Sequence, residues 1–524
     1  MSRPPEVAGF QSLPASYRPL TMSSGLRASA MRDPGKTAMI QGADRRTYGE
    51  MVARVNRIAN LARDGLGLLP GETAAILSPN SMTYLEVVVG LSDVGVAAVT
   101  PNPKLSAREI AEICNDAQCR AVFVHPECED RIDVSRMTLA PRIIRIGPEL
   151  EALAHAASDA FTPGGVAEWD VFSIPYTSGT TGRPKGVMLS HRSRTLGFLA
   201  YAAEYGIYSQ DDHFLSITPM CHGAGLAYAY CAVFLGGTLE IMPKFDPDAV
   251  VQAIHGGAVT GLFSVPTHYH GIFGLEPKRL EALRGNRLNG IVANAAPLSD
   301  DTKVQIIDYF GPELLHETYG STEAGVVTNL RPNQQLRKSR CVGQAFFGNQ
   351  VKLLGPDRRE VAAGEVGELF STSPYLFNGY WQKPDQTQEA FHDGWVGVGD
   401  LARRDDEGYY YIVDRKKDLV ISGGINIYPR EVEAVLDKHP AVIETAVIGV
   451  PDARWGELLV AYVVLDPSAP AAEIDLAAFA RAQLGEYKAP KTFHPIAALP
   501  RNANGKVLKT ELRQLNADTQ TKTI

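Results

Sequence analysis

The sequence predicts an α/β protein: a large N-terminal part built of doubly wound sheets with a small β subdomain, followed by a small α+β domain. Three observations carry this. Short apolar strand-like runs alternate with amphipathic helical segments through the first 340 residues, the pattern of largely parallel sheets. Around residue 350 the texture changes to short β-type runs broken by many turns. A charged segment, Asp414-Arg415-Lys416-Lys417-Asp418, then precedes a fresh set of helix and strand signals.

The elements follow in order. Thr47 with Glu50 forms a capping box ahead of Met51, Val55, Ile58 and Leu61 on one helical face. Thr73 to Ser78 is a buried strand. Ser81 opens a helix through Leu85, Val88 and Leu91; Ala97 to Thr100 is a strand, Ser106 to Ile113 a helix and Arg120 to Val124 a strand. After residue 170 the alternation resumes. Val259 to Val265 and Gly290 to Ala293 are too short for helices, and each runs into a proline-containing loop at its carboxyl end, where open α/β sheets bind ligands. Val361 to Phe370 and Tyr409 to Val413 read as β; Glu431 to Leu436 reads as helix, and Val442 to Val450 and Leu459 to Leu465 as strands. The domains expected are residues 1–413, including a β subdomain at about 340–413, a hinge at 414–418, and an α+β domain at 419–524.

At 524 residues the chain is too long for one ordinary core. Its 45% apolar and 21% charged residues suit a globular protein. A formal net charge of -8 supplies no global field for nucleic acid, so none is expected as a partner. The six cysteines form no CxxC pair, which argues against a zinc site and for a reducing compartment. No apolar run long enough to span a membrane and no signal peptide is read, so no membrane insertion is expected and a cytoplasmic location is.

The segment Tyr176-Thr-Ser-Gly-Thr-Thr-Gly-Arg-Pro-Lys-Gly186 concentrates chemistry. Its glycines let several amides converge on one anion, Ser178, Thr180 and Thr181 add hydroxyls, and Lys185 adds a mobile cation. It is not a Walker loop, because no Gly-Lys-Ser/Thr stands at the needed spacing. The competing reading, a flexible linker, fits poorly between a strand-like run and another apolar segment. Tyr319-Gly-Ser-Thr-Glu-Ala-Gly325 places an aromatic, two hydroxyls and a carboxylate on a Gly-flanked turn; by itself it could equally be a surface turn with Thr322 as a helix N-cap.

Together with Gly399-Asp400, Asp414 to Asp418, Ser422-Gly423-Gly424 and Pro500-Arg-Asn-Ala-Asn-Gly-Lys506, these segments run in order from about residue 40 to 513. The whole set resembles the adenylate-forming (AMP-binding) superfamily, in its acyl-CoA synthetase branch. The resemblance implies an AMP-forming acyl-CoA ligase using ATP, Mg²⁺ and coenzyme A on a carboxylic acid. It implies that Thr177, Ser178, Gly179, Thr180, Thr181 and Lys185 hold phosphates. Ala295, Ala296, Pro297, Glu317, Thr318, Tyr319 and Gly320 would border the nucleotide, with Tyr319 against adenine; Thr322 would meet phosphate and Glu323 the metal. Asp400 and Arg415 would take the ribose, and Lys506 would stabilise charge during adenylation. Lys417 would be the hinge of a mobile C-terminal domain, and Ser422, Gly423 and Gly424 would face pantetheine.

His222, in Pro219-Met-Cys-His-Gly-Ala-Gly225, resembles the gate beside the carboxylate, with Gly223, Ala224, Tyr228, Val265, Thr267, His268, Asn294 and Val326 as further wall candidates. Relatives often carry Gly-Gly-Ala-Pro where this chain has Asn294-Ala295-Ala296-Pro297, so Asn294 either contacts the substrate or is a satisfied loop residue. No placed acidic residue would pair an α-ammonium, so the expected acid is aryl, arylalkyl or a medium- to long-chain aliphatic acid. Two other readings are a loader of carrier-protein phosphopantetheine and a non-catalytic relative; the latter should have lost Lys506, Glu323 or Asp400. A light-emitting relative is a third, and a homodimer is left open.

Overall fold

The computed structural model describes residues 17–178, 184–452, 454–469, 475–501 and 507–521. By packing, the chain divides into two compact units: Met1–Val351 with Ser371–Val396, and Lys352–Phe370 with Gly397–Ile524.

The first unit holds two sheets. One runs, edge to edge, through Gln344–Ala345, Gly325–Leu330, Leu315–Ser321, Gly290–Ala293, Gly261–Ser264, His213–Ser216, Thr238–Ile241, Thr37–Gln41 and Asp44–Thr47. Its middle is parallel and both edges are antiparallel. The other runs through Arg142–Arg145, Ala121–Val124, Thr73–Leu77, Ala97–Thr100 and Val171–Ser178, all parallel, and closes on the short antiparallel strands Pro184–Gly186 and Leu189–Ser190. Helices start where side chains can cap them. Thr47 Oγ1 accepts from the Glu50 amide while Glu50 reaches back to Thr47 N, and Ser106 with Glu109 repeats the arrangement. Ser81 caps Met82–Ser92 through Tyr84 N. Residues such as Leu215, Val250, Leu262, Ile291 and Ile306 pack one core, and Leu77, Val99, Ile110, Val122 and Ile174 another.

In the second unit, Lys352–Leu354, Val366–Phe370, Gly397–Arg404 and Tyr410–Arg415 belong to a small sheet. A further sheet has the order Ile425–Ile427, Val420–Ser422, Gly456–Leu465, Val442–Asp452, with Thr492–Pro495 parallel to Gly456–Leu465. Helices Pro429–Leu436 and Leu476–Gln483 contribute to one of its apolar cores and Lys509–Thr521 to another. The expected strand from Val361 begins only at Val366. Residues 362–365 form a tight turn instead, with Ala362 N donating to the Glu365 carboxylate and Gly364 at φ +84°, a conformation glycine reaches without strain. All six cysteines are buried free thiols, and no helix among the described residues is long and apolar enough to cross a membrane.

Candidate active site

The candidate residues fall into two groups, one in each unit. In the first unit they sit where parallel strands end. Tyr176 and Thr177 close the strand Val171–Ser178, whose hairpin partner Pro184–Gly186 pairs Thr177 with Lys185. Gly179, Thr180 and Thr181 lie outside the described residues, as does the Ser178 side chain. The Tyr176 hydroxyl donates to Asp116, which also pairs with Lys383, so the base of this hairpin is fixed from below.

Tyr319 and Gly320 end the strand Leu315–Ser321, and 322–324 form the turn into Gly325–Leu330. No helix follows, which removes the N-cap reading of Thr322. Ser321 Oγ accepts from Ala324 N, and Gly320 lies so close to Gly325 that a Cβ there would stand 2.0 Å from its carbonyl oxygen. This close approach of two backbones explains the glycine.

Residues 377–381 tie these two motifs together. Phe377 N donates to Glu323 O, Met188 N to Gly379 O and Trp381 N to Gly186 O. Tyr380, which the sequence reading passed over, stands between them: its hydroxyl donates to Glu323 Oε1 at 2.9 Å, and Lys185 Nζ lies 5.0 Å from its ring centroid. A cation and a carboxylate from separate motifs are thus held on one aromatic ring. Burial, reinforced by the Glu323 charge, raises the Tyr380 phenol well above its usual range, so it stays a donor.

The loop after Gly290–Ala293 is internally satisfied. Asn294 Nδ2 donates to Thr318 Oγ1 at 2.8 Å, so its side chain is hydrogen-bonded to the neighbouring strand. Ala295 takes φ +77°, a strained value for a residue with a Cβ, and Ala296 and Pro297 lead into Leu298, whose amide donates to Glu317 Oε1. Glu317 is buried and paired at 2.5 Å with the fully buried Lys303. Its carboxylate therefore faces inward and anchors the loop. Burial pushes its pKa up and Lys303 opposes that.

His222 precedes the helix Gly223–Phe234. Its loop is held by Asn80, which bonds Thr218 O and Met220 N, and by Thr100, whose hydroxyl donates to Cys221 O. Burial first and Lys104 second lower the His222 pKa, so the ring is a neutral group at neutral pH. Gly223 and Ala224 open the helix beside it. Tyr228 is buried, with Phe263 and Tyr201 stacked at ring centroid distances of 4.2 and 4.8 Å. His268 is buried against Phe245, with its pKa down to about 4. Val265 and Thr267 flank it, and Val326 is buried opposite Gly320. A second residue passed over is Arg194. It is buried on the helix His191–Tyr205, and a Cβ on Gly223 would lie 3.4 Å from its Nη2.

In the second unit, Asp400 and Arg415 are register partners on adjacent strands and form an ion pair at 2.5 Å, with Asp400 buried. Lys417 stands in a single 3₁₀ turn, Lys416–Asp418, whose Asp418 pairs with Arg513. Ser422 pairs with Ile425 across a two-residue hairpin in which Gly423 and Gly424 take φ +58° and +80°, the requirement of a type I′ turn. Lys506 lies outside the described residues; Arg501 and Val507 pair on either side of that segment.

Comparison with known proteins decides the family. Residues 26–381 match the AMP-binding enzyme family, and residues 431–506 match the AMP-binding enzyme C-terminal domain. The chain belongs to the AMP-binding enzyme family. It is 36% identical to a feruloyl-CoA synthase of Amycolatopsis sp over 489 residues, covering 93% of this chain and 97% of that protein. Among solved structures, ATP-bound MatB from Rhodopseudomonas palustris superposes with a TM-score of 0.86 at 32% identity, over 95% of this chain and 99% of the other. The o-succinylbenzoate CoA synthetase of Bacillus subtilis, in complex with its acyl-adenylate intermediate, gives 0.83 at 28% identity, over 95% and 98%. The chain is accordingly an acid–thiol ligase of the acyl-CoA synthetase branch.

Proposed function

We propose that the chain joins a carboxylic acid to coenzyme A in two steps: acid and ATP give acyl-AMP and pyrophosphate, then acyl-AMP and CoA give acyl-CoA and AMP. The observation that carries this is the Lys185–Tyr380–Glu323 cluster, which gathers a phosphate-seeking cation and a metal-seeking carboxylate at the carboxyl ends of the sheets. Glu323 fits Mg²⁺. Among the described residues no group of three His, Cys, Asp or Glu could hold a metal by itself, so such an ion would draw its remaining ligands from nucleotide phosphates and water, as Mg²⁺ commonly does. When bound it would neutralise phosphate charge.

The other roles follow the family resemblance. Thr177 to Thr181 and Lys185 hold the triphosphate, Tyr319 stacks on adenine and Thr322 donates to phosphate. Asp400 accepts from the ribose hydroxyls, and its pairing with Arg415 supports a preset carboxylate. Lys506 stabilises the charge that builds on the α-phosphoryl oxygens as the carboxylate attacks. Neutral His222 lies beside that carboxylate without adding a charge. Rotation about Lys417 would then bring the Gly423–Gly424 turn to the pantetheine arm. The acid has an apolar aryl, arylalkyl or aliphatic body. The six buried free thiols support a cytoplasmic setting.

The test is product identification by mass after incubation with ATP, Mg²⁺ and a panel of acids, with and without CoA. Acid-dependent AMP and acyl-CoA are expected. Pyrophosphate release with no thioester would transfer the acceptor role to a carrier protein. ATP left intact with every acid would end the ligase reading.

A further inference from the structure

Arg194 is a buried charge beside the candidate acyl site that the proposed chemistry leaves unused. It follows Ser190, the N-cap, in the first turn of His191–Tyr205, on the same stripe as Phe198, Tyr201 and Tyr205. It is 6% exposed. It makes no hydrogen bond or ion pair with any described residue, and the groups that act on its charge are the Tyr201 and Tyr228 phenols, with no carboxylate among them. Arg194 lines a small, largely enclosed pocket together with Pro175, Phe198, His222, Gly223 and Leu226. A Cβ on Gly223 would stand 3.4 Å from Arg194 Nη2 and 3.4 Å from Thr322 Cγ2, so the cation lies beside the residues assigned to the reacting groups.

A buried charge without a counter-ion is costly, and a guanidinium cannot escape by losing its proton. A neutral acceptor leaves the charge in place, whereas a carboxylate cancels it through two parallel hydrogen bonds. The reacting carboxylate is a poor occupant: it gives up its charge as the acyl–phosphate bond forms, so pairing it would favour the ground state over the transition state. A second, non-reacting carboxylate keeps its charge through both half-reactions. We infer that Arg194 receives a second carboxylate of the substrate, so that the acid is a dicarboxylic acid whose body packs on the apolar residues around that pocket. This rests on the acyl-CoA ligase reading above and names the substrate class of that same site.

The experiment compares matched acids differing only in a second carboxylate: butyrate with succinate, hexanoate with adipate, and 3-phenylpropanoate with its 2-carboxy derivative. Acid-dependent pyrophosphate release is measured for the wild-type chain, Arg194→Leu and Arg194→Lys. The diacid of at least one pair should exceed its monoacid by about ten-fold or more in kcat/KM. Arg194→Leu should lower that diacid's value by about a hundred-fold, mainly through KM, while changing the monoacid less than about three-fold. Arg194→Lys should fall between, because an ammonium keeps the charge without the fork. A monoacid preference in every pair, or an equal loss on both members in Arg194→Leu, overturns the inference. Thermal unfolding gives an independent reading: the diacid should raise the Tm of the wild type and not of Arg194→Leu, and no such shift overturns the inference. Absence of pyrophosphate release with all six acids would instead count against the ligase reading, and the Tm comparison would still decide the role of Arg194.

Discussion

Tyr380 donates to Glu323 and carries Lys185 on its ring, so two substitutions separate its contributions. Tyr380→Phe keeps the ring and removes the donor to a carboxylate, a bond worth about 1.5–3 kcal/mol; kcat/KM for pyrophosphate release should fall about ten-fold or more, with a higher Mg²⁺ requirement. Tyr380→Leu also removes the face under Lys185 and should raise KM for ATP further. Unchanged kinetics in both variants would confine Tyr380 to packing. His268 makes a pH prediction. Its folded pKa of about 4 lies below the unfolded value of 6.5, so between the two the unfolded chain binds the extra proton. Its contribution is therefore complete above pH 6.5 and is lost as pH falls, by about 1.4 kcal/mol per unit. Denaturant titrations at pH 5 and 7 should show the wild type losing about 2 kcal/mol relative to His268→Phe on acidification; parallel curves would mean that the ring takes up its proton in the fold as readily as in the unfolded chain. Residues such as these were unevenly legible. Lys185 and Glu323 stood out because each occupies a motif dense in phosphate- and metal-binding groups. Tyr380 did not, since an aromatic in a loop carries no local signal and meets its partners only through long-range pairing. Arg194 left a detectable trace, a charged residue on the apolar i, i+4, i+7 stripe formed with Phe198 and Tyr201.

Elements were legible where their boundary chemistry is local. The capping boxes at Thr47 and Ser106 and the cap at Ser81 mark helix starts within a few residues of sequence, and apolar runs such as Gly261–Ser264 and Gly290–Ala293 mark buried strands of a parallel sheet. Strand order was not legible, because the pairing of Ala97–Thr100 with Val171–Ser178 depends on contacts across more than seventy intervening residues. Nor was the turn at 362–365, where a side-chain bond from Glu365 competes with extension. The hairpin at Ser422–Ile425 supports an element-scale prediction. A Cβ at Gly423 would meet the Trp455 ring at 2.9 Å, whereas at Gly424 it would meet nothing within 4 Å. Gly424→Ala should therefore cost only the backbone strain of φ +80°, about 1–2 kcal/mol. With the fold intact, the added methyl should slow thioester formation while acyl-adenylate formation proceeds at the wild-type rate. Equal rates for the two proteins in both half-reactions would remove this turn from the pantetheine path.

At the scale of the whole molecule, packing and motion are separate properties. Residues 352–370 and 397–413 fall in one compact unit with the C-terminal segment, and Asp414 in the strand Tyr410–Arg415 accepts from Arg430 N at the start of the next helix. A hinge is instead a place where few backbone angles change, and the segment Lys416–Asp418 suits that role: it is a single 3₁₀ turn that follows the end of one strand and precedes another. Proline tests it cleanly. At the second position of a short helical turn it matches the local φ and replaces an amide that the turn does not need, so Lys417→Pro should leave the Tm within a few degrees of wild type. What proline removes is access to the other φ values a rotation would need. Acyl-adenylate formation, followed as acid-dependent pyrophosphate release, should then persist, while transfer from preformed acyl-AMP to CoA should slow by about a hundred-fold or more. The ratio of the two rates is the decisive quantity, because a general loss of stability would depress both together. If the half-reactions fall by the same factor, Lys417 is a linker residue like its neighbours, and alternation would have to pivot elsewhere in the chain.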